Sequence, residues 1–206
     1  MSEADTQRRR SSRRAATGII TCPSCGGPLK PDAKWCPNCN FTGGDTLRLF
    51  PHDPPPLLPI LDAVGLLKEH DIHKIEVARE NLRRRFPQFR WKICIVTLPR
   101  ETSLSVFGFW LLNVCPLHDQ ETPQERAWTI LLLLNPSTAQ AAVIPGYAAE
   151  PFLSDDEWKA ILSDMRKPWS LAKPAEDIVR FFKNSRRHLN VAWKRYGTRK
   201  SGRKSS

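Results

Sequence analysis

The sequence predicts an α/β layered domain with a mixed sheet, preceded by a small zinc ribbon. Three observations predict it. Cys22, Cys25, Cys36 and Cys39 form two C-x2-C pairs with ten residues between them. From about Ile60 onward, strand-length apolar runs alternate with helix-length amphipathic segments. The apolar run Trp128 to Leu134 is followed, after Asn135-Pro136-Ser137, by a second strand pattern, Ala139 to Ile144. So short a turn forces an antiparallel pair, whereas a strand that returns through a helix lies parallel to its predecessor.

Residues 1–18 hold five Arg against Glu3 and Asp5, and residues 184–206 hold eight Lys or Arg and no acid. The whole +11 net charge therefore sits in the two ends, and residues 19–183 balance 19 bases against 19 acids. Residues 1–18 and 198–206 read as disordered basic tails, able to meet phosphate backbones or anionic lipid headgroups, or serving only as solvated ends. The N-terminus lacks the apolar stretch of a secretory signal. No run approaches the about 18 apolar residues of a membrane span. A cytoplasmic address is expected, where thiols stay reduced.

Residues 19–42 read as the ribbon. Each C-x2-C pair can fold as a knuckle with both sulfurs facing one point, and four thiolates make the tetrahedral soft-ligand set that Zn2+ prefers. Pro23 and Pro37 stiffen the knuckles, Gly26 and Gly27 permit a sharp turn after the first, and Pro31-Asp32 suits a hairpin turn. The alternative is two structural disulfides. A closed four-Cys site has no open position, so it implies folding and docking rather than catalysis.

Residues 43–59 read as a linker, because Pro51, Pro54, Pro55, Pro56 and Pro59 oppose helix and central strand. Leu66 to Phe86 predicts a helix with Ile75, Ala78, Leu82 and Phe86 on one face and Arg83, Arg84 and Arg85 near its C-terminus, stopped by Pro87. Arg90 to Leu98 predicts a central strand, apolar on both faces. Ser103 to Val114 predicts an aromatic-rich helix, and His118 to Glu125 a polar loop. Ser154-Asp155-Asp156-Glu157 is a capping box that opens a helix to about Met165. Pro168 closes that region, and Pro174 opens a last helix with Ile178, Phe181, Phe182 and Leu189 as its buried stripe. The globular domain is thus expected over residues 60–197.

Trp128 to Asn135, then Ala142 to Glu150 with its Gly146-Tyr147-Ala148-Ala149-Glu150, then Phe152 to Asp156, resemble the TPM domain family in order and spacing. Gly146, Tyr147 and Glu150 match the family's G-Y-G-x-E, and Ala148 replaces the second Gly. Val64 to Leu67 and Trp91 to Thr97 resemble its first helix start and first strand, so the resemblance covers roughly residues 58–195. It implies an α/β sandwich. It also implies a phosphatase-like activity with bivalent metal, as described for some plant thylakoid-lumen members. Other members are membrane-anchored or receptor-associated. This chain departs from them in its ribbon, in its lack of signal or anchor, and in Asn135 to Ala142, which stand where charged residues are usual.

A phosphatase needs a nucleophile with a base, or carboxylates that hold metals. Candidate acids are Glu101, Asp119, Glu121, Glu150, Asp155 and Asp156. Glu150 with Asp155 or Asp156 can form a second, hard-cation site; equally, the two Asp suit a helix N-terminus and Glu150 a loop. His70 and His73 share a helix face but lack a third ligand, which makes a solvated face the simpler reading. Cys115 beside His118-Asp119 invites a Cys-His reading, yet Cys115 ends an apolar helix and Cys94 lies in a strand, so both read as small buried hydrophobes. Trp110, Trp128, Trp158 and Trp193 read as packing rather than a base-stacking platform. Three functions follow. The first is a non-catalytic module that binds a protein partner, with the ribbon docking or stabilising it. The second is a divergent metal-dependent phosphatase. The third is nucleic-acid binding through ribbon and tails.

Overall fold

The apolar run that begins at Thr129 forms a strand buried at every one of its seven positions, and two layers of helix grow from that fact. In this computed structural model, residues 20–30, 33–54, 56–116, 121–166 and 173–201 are described. Expectations for residues 1–18 and 202–206, the Pro31-Asp32 turn, Pro55, Pro168, His118 and Asp119 lie outside them. The elements run β1 (Ile20–Thr21), β2 (Pro28–Leu29), α1 (Gly43–Leu49), β3 (Ile60–Asp62), α2 (Glu69–Arg85), β4 (Arg90–Ile95), α3 (Leu104–Val114), α4 (Pro123–Ala127), β5 (Thr129–Asn135), β6 (Gln140–Pro145), α5 (Asp155–Arg166) and α6 (Pro174–Ser201), with a 3-10 turn at Glu150–Phe152.

Strands β3, β4, β5 and β6 form one sheet in that order. β3 and β4 are parallel, as are β4 and β5, while β6 runs antiparallel to β5. The fold is therefore α/β with a mixed sheet, as the element order predicts. Side chains alternate across the sheet. Trp91, Ile93, Ile95, Ile130, Leu132 and Leu134 join α2, α5 and α6 in one core. Cys94, Leu131 and Leu133 join α3 and Leu57 in the other. Ile178, Phe181, Phe182 and Leu189 are buried, as their stripe predicts. Trp91, Trp110 and Trp158 are buried too, but Trp193 is 51% exposed and lies stacked on Phe152. Among the described residues, no helix is long and apolar enough to cross a membrane.

Several boundaries differ from the sequence reading, each for a local reason. The segment expected as a linker begins with helix α1. The Asp45 carboxylate accepts bonds from the Thr42 N–H (2.7 Å) and hydroxyl (2.9 Å), which caps the helix before the prolines begin. The rest of that segment is packed: Leu57 is buried, and its carbonyl accepts from Lys92 Nζ at 2.9 Å. β3 pairs with β4 where no strand was expected. α2 starts at Glu69 rather than Leu66, because the Asp62 carboxylate accepts from Val64 N–H (3.2 Å) and Leu67 N–H (2.7 Å) and holds a turn around Gly65 at φ +66°. The polar loop before β5 contains α4, opened by Thr122 and Glu125 as a capping box. α6 continues through Gly197 to Ser201, so residues 198–201 are helical rather than tail.

β4 is not wholly apolar. Lys92, 8% exposed, points into the second core and meets Glu121 at 2.9 Å, and Arg126 meets the other Glu121 oxygen at 3.1 Å. A buried charge survives only when paired and hydrogen-bonded. This triad meets the condition and ties the 51–59 stretch and α4 to the sheet.

α3 approaches the sheet at Gly108. A β-carbon there would lie 2.4 Å from Ile144 Cγ1 and 2.6 Å from Leu133 Cδ1. Gly→Ala inside a helix ordinarily stabilises by up to about 1 kcal/mol. Gly108→Ala is expected to destabilise instead, by roughly 1–3 kcal/mol of overpacking. Gly43→Ala, with nothing within 4 Å of the added carbon, is the control. Urea unfolding of both variants against wild type checks the opposite signs.

Candidate metal centre

The two knuckles have the same build. After Cys22-x-x-Cys25 the chain turns through Gly26 at φ +72°, and after Cys36-x-x-Cys39 it turns through Asn40 at φ +60°. In the first, Gly26 N–H donates to the Cys22 carbonyl (2.9 Å) and Cys22 N–H to the Gly27 carbonyl (2.8 Å). In the second, Asn40 N–H donates to the Cys36 carbonyl (2.8 Å) and Cys36 N–H to the Phe41 carbonyl (2.9 Å). Gly and Asn are the residues that most readily take the left-handed region. The expectation for Gly26 holds; Asn40 plays the same part, and its place directly after a C-x2-C was the signal.

These turns bring the four sulfurs within 4.8 Å of one another. Cys22 and Cys39 Sγ lie 3.8 Å apart, and Cys25 and Cys36 Sγ 3.7 Å. A disulfide needs about 2.05 Å, and all four are free thiols. Tetrahedral thiolates at Zn–S bonds of about 2.3 Å would stand about 3.8 Å apart. The donor set therefore fits a soft divalent ion and not two disulfides. Burial pushes the Cys22 thiol up to about 11. The Asn38 side chain and the Gly27 N–H, each 3.4 Å from Cys25 Sγ, pull that thiol down to about 6. Bonds of this kind fix a ligand's orientation and stabilise its thiolate.

The ribbon docks on the larger domain at two points. Thr21, the residue before the first ligand, donates its N–H (3.0 Å) and its hydroxyl (3.3 Å) to Glu150 Oε1. Phe41 meets Phe109 of α3 edge-on at 6.2 Å. Next to it, Phe50 packs on Phe107 (5.4 Å) and Trp110 (5.1 Å). Burial raises the Glu150 pKa, and Asp155 raises it further, against the bonds from Thr21.

This places the remaining candidate residues. Glu150, with Asp155 and Asp156, does not form a ligand group among the described residues; the four cysteines do. The Asp156 side chain is 94% exposed and meets Lys159 at 3.5 Å. Ser154 N–H donates to Glu157 at 2.8 Å and Ser154 Oγ accepts from Glu157 N–H at 3.3 Å, so both Asp sit in the first turn of a boxed helix. Glu121 is held by Lys92 and Arg126. Glu101 is exposed. His70 and His73 are exposed on α2, with His70 beside Asp71 at 3.2 Å. Cys94 and Cys115 are buried, and burial pushes the Cys94 thiol up to about 12; neither is poised as a nucleophile. Gly146 is required by space: a β-carbon there would lie 2.5 Å from the Ala127 carbonyl oxygen. Tyr147, half exposed, donates to Asn113 Oδ1 at 3.4 Å.

Among the solved structures similar to this chain are two N-terminal domains. One is the solution NMR structure of the N-terminal domain of the cg2496 protein from Corynebacterium glutamicum, at 14% identity and TM-score 0.47, covering 62% of this chain and 77% of that one. The other is the N-terminal domain of a protein from P. gingivalis, at 16% identity and TM-score 0.48, covering 74% of this chain and 93% of that one. No protein-family pattern and no curated protein matches the sequence.

Two outcomes are expected. The purified chain binds one equivalent of Zn2+ by metal analysis. Cys22→Ser or Cys36→Ser loses it, whereas Cys94→Ser and Cys115→Ser keep it. Glu150→Ala strands the Thr21 N–H and weakens docking by roughly 1–3 kcal/mol, so trypsin cuts faster at Lys34, while Asp156→Ala leaves the cleavage rate unchanged.

Proposed function

We propose that this chain is a non-catalytic protein-interaction module, a TPM-like α/β domain on which a structural Zn2+ ribbon is docked. Glu150 carries the reading. It is the acid of the Gly146-Tyr147-Glu150 motif and the one that a second cation or a phosphatase centre would use. Its Oε1 instead accepts both donors of Thr21. A carboxylate so engaged, with Asp155 and Asp156 at a helix start, is not arranged to grip a hard cation. The neutral turn after β5 agrees: Asn135 Oδ1 accepts from the Ser137 N–H (3.2 Å) and hydroxyl (2.7 Å), and Asn135 Nδ2 donates to the Leu98 carbonyl (3.0 Å). The polar groups of this turn bond to one another and to the backbone.

The proposed metal is structural. With four cysteine ligands Zn2+ keeps no open position, so its contribution is to hold the knuckles and present Thr21 and Phe41 to the domain. A reducing, cytoplasmic setting belongs to the same reading, since the thiolates must stay unoxidised.

The competing activity gives the test. Zinc-loaded protein is expected to release no phosphate from p-nitrophenyl phosphate above a buffer blank, with or without added Mg2+ or Mn2+. Turnover that disappears in Glu150→Ala combined with Asp155→Ala would sink the proposal.

A further inference from the structure

Helices α2 and α6 pack side by side over the first core and leave a groove of about 740 Å3 between them. Its lining is apolar along the middle: Ala78, Leu82, Val179 and Phe182 line it, and Val77 stands in it 49% exposed. Its rim is basic. Lys74 comes from α2, and Arg180, Lys183 and Arg186 come from α6, all exposed. Their spacing of three residues sets the α6 cations on one side of that helix.

Elsewhere on these helices several cations are paired, while Arg85 meets the neutral Asn190 side chain at 3.4 Å. Glu80 takes Arg83 and Arg84, and Asp164 takes Arg187. The acid in the groove lining, Glu176, meets Lys173 at 3.5 Å. Among the described residues, Lys74, Arg180, Lys183 and Arg186 form no ion pair. Uncompensated like charges gathered round exposed apolar surface are unfavourable in the isolated chain, and a partner with opposite charge and apolar anchors relieves both faults at once.

The geometry points to this groove as the docking site for an acidic amphipathic segment of another protein, whose apolar side chains enter between Val77 and Val179 and whose carboxylates meet Lys74, Arg180, Lys183 and Arg186. This rests on the interaction-module reading and gives its partner a chemistry. Residues 1–18 and 202–206 are themselves net basic, so their charge opposes the basic rim rather than matching it. A phosphate polymer would use the rim but would leave the apolar strip uncovered. Helix-in-groove binding uses both, with anchors at i, i+3, i+4 and i+7.

The test uses the full zinc-loaded chain and a fluorescein-labelled peptide of about 16 residues, long enough at 1.5 Å per residue to run the groove. The peptide has Leu at helical spacing and Glu elsewhere. Saturable binding by anisotropy is expected. A scramble that spreads the Leu round the helix, the Val77→Asp variant, and the Lys183→Glu/Arg186→Glu variant should each weaken it by about tenfold or more. All three substituted positions are exposed, and unchanged circular dichroism and zinc content confirm that the variants fold. Equal binding of the scramble, equal binding of a Lys-for-Glu peptide, no binding at all, or indifference to the substitutions would overturn the assignment. So would a single-stranded oligonucleotide, or vesicles of phosphatidylserine, that displace the peptide and depend on the same residues more strongly. Failure here condemns the groove alone; failure of the module reading is read separately, as phosphate release that depends on Glu150.

Discussion

Everything in this chain is arranged round a strand that touches no water. All seven residues of β5 are buried, and a strand buried on both faces needs helices on both. α2, α5 and α6 cover one face; α3 covers the other, close enough at Gly108 to exclude even a methyl group. Because α3 lies so close, its inner residues fill the second core and its outer edge, at Phe109, is free to receive the ribbon through Phe41. Phe50, just after α1, packs on Phe107 and Trp110 of the same helix. The ribbon thus sits on the layer that β5 demands.

The second hold on the ribbon decides what the site can do. A half-buried carboxylate at a strand-to-helix turn is a natural place for chemistry, and its raised pKa is of the sort that marks functional sites. Burial is the first cause of that shift, and the partners of the carboxylate are a backbone amide and a hydroxyl from 129 residues earlier. The rise comes from burial and from Asp155, and the two Thr21 bonds that dock the ribbon pull against it. Glu121 is likewise engaged, paired with Lys92 and Arg126. Of the described candidate acids, Glu150 and Glu121 join distant parts of the chain.

Much of this was legible in the sequence, and what was not shares a cause. The cysteine pairs, the runs that became β4, β5 and β6, the helix after Ser103 and the boxed start at Ser154 are local patterns, and each formed where it was expected. The strand directions followed from connection length. β3 was missed because three residues between Pro59 and Gly65 are too few for any period to show; pairing with β4 makes them a strand. α1 was hidden by the prolines that follow it, although Thr42 and Asp45 carry the capping signal. The Glu150 contact with Thr21 and the Lys92 contact with Leu57 join residues far apart in sequence. No local periodicity encodes such pairs, which appear only when the layers close.

The central claim is that metal, ribbon and domain are coupled through Thr21, Glu150 and Phe109 while β5 stands independently. Amide hydrogen exchange on the full chain, before and after removal of zinc by a chelator, tests it most directly. The account predicts that amides of residues 20–49 lose protection together with those around Phe109 and residues 146–150, while those of residues 130–134 keep theirs. Unchanged protection at residues 146–150 would mean that the ribbon is not docked there. Loss of protection throughout β5 would mean that the ribbon is part of the core rather than an element seated upon it.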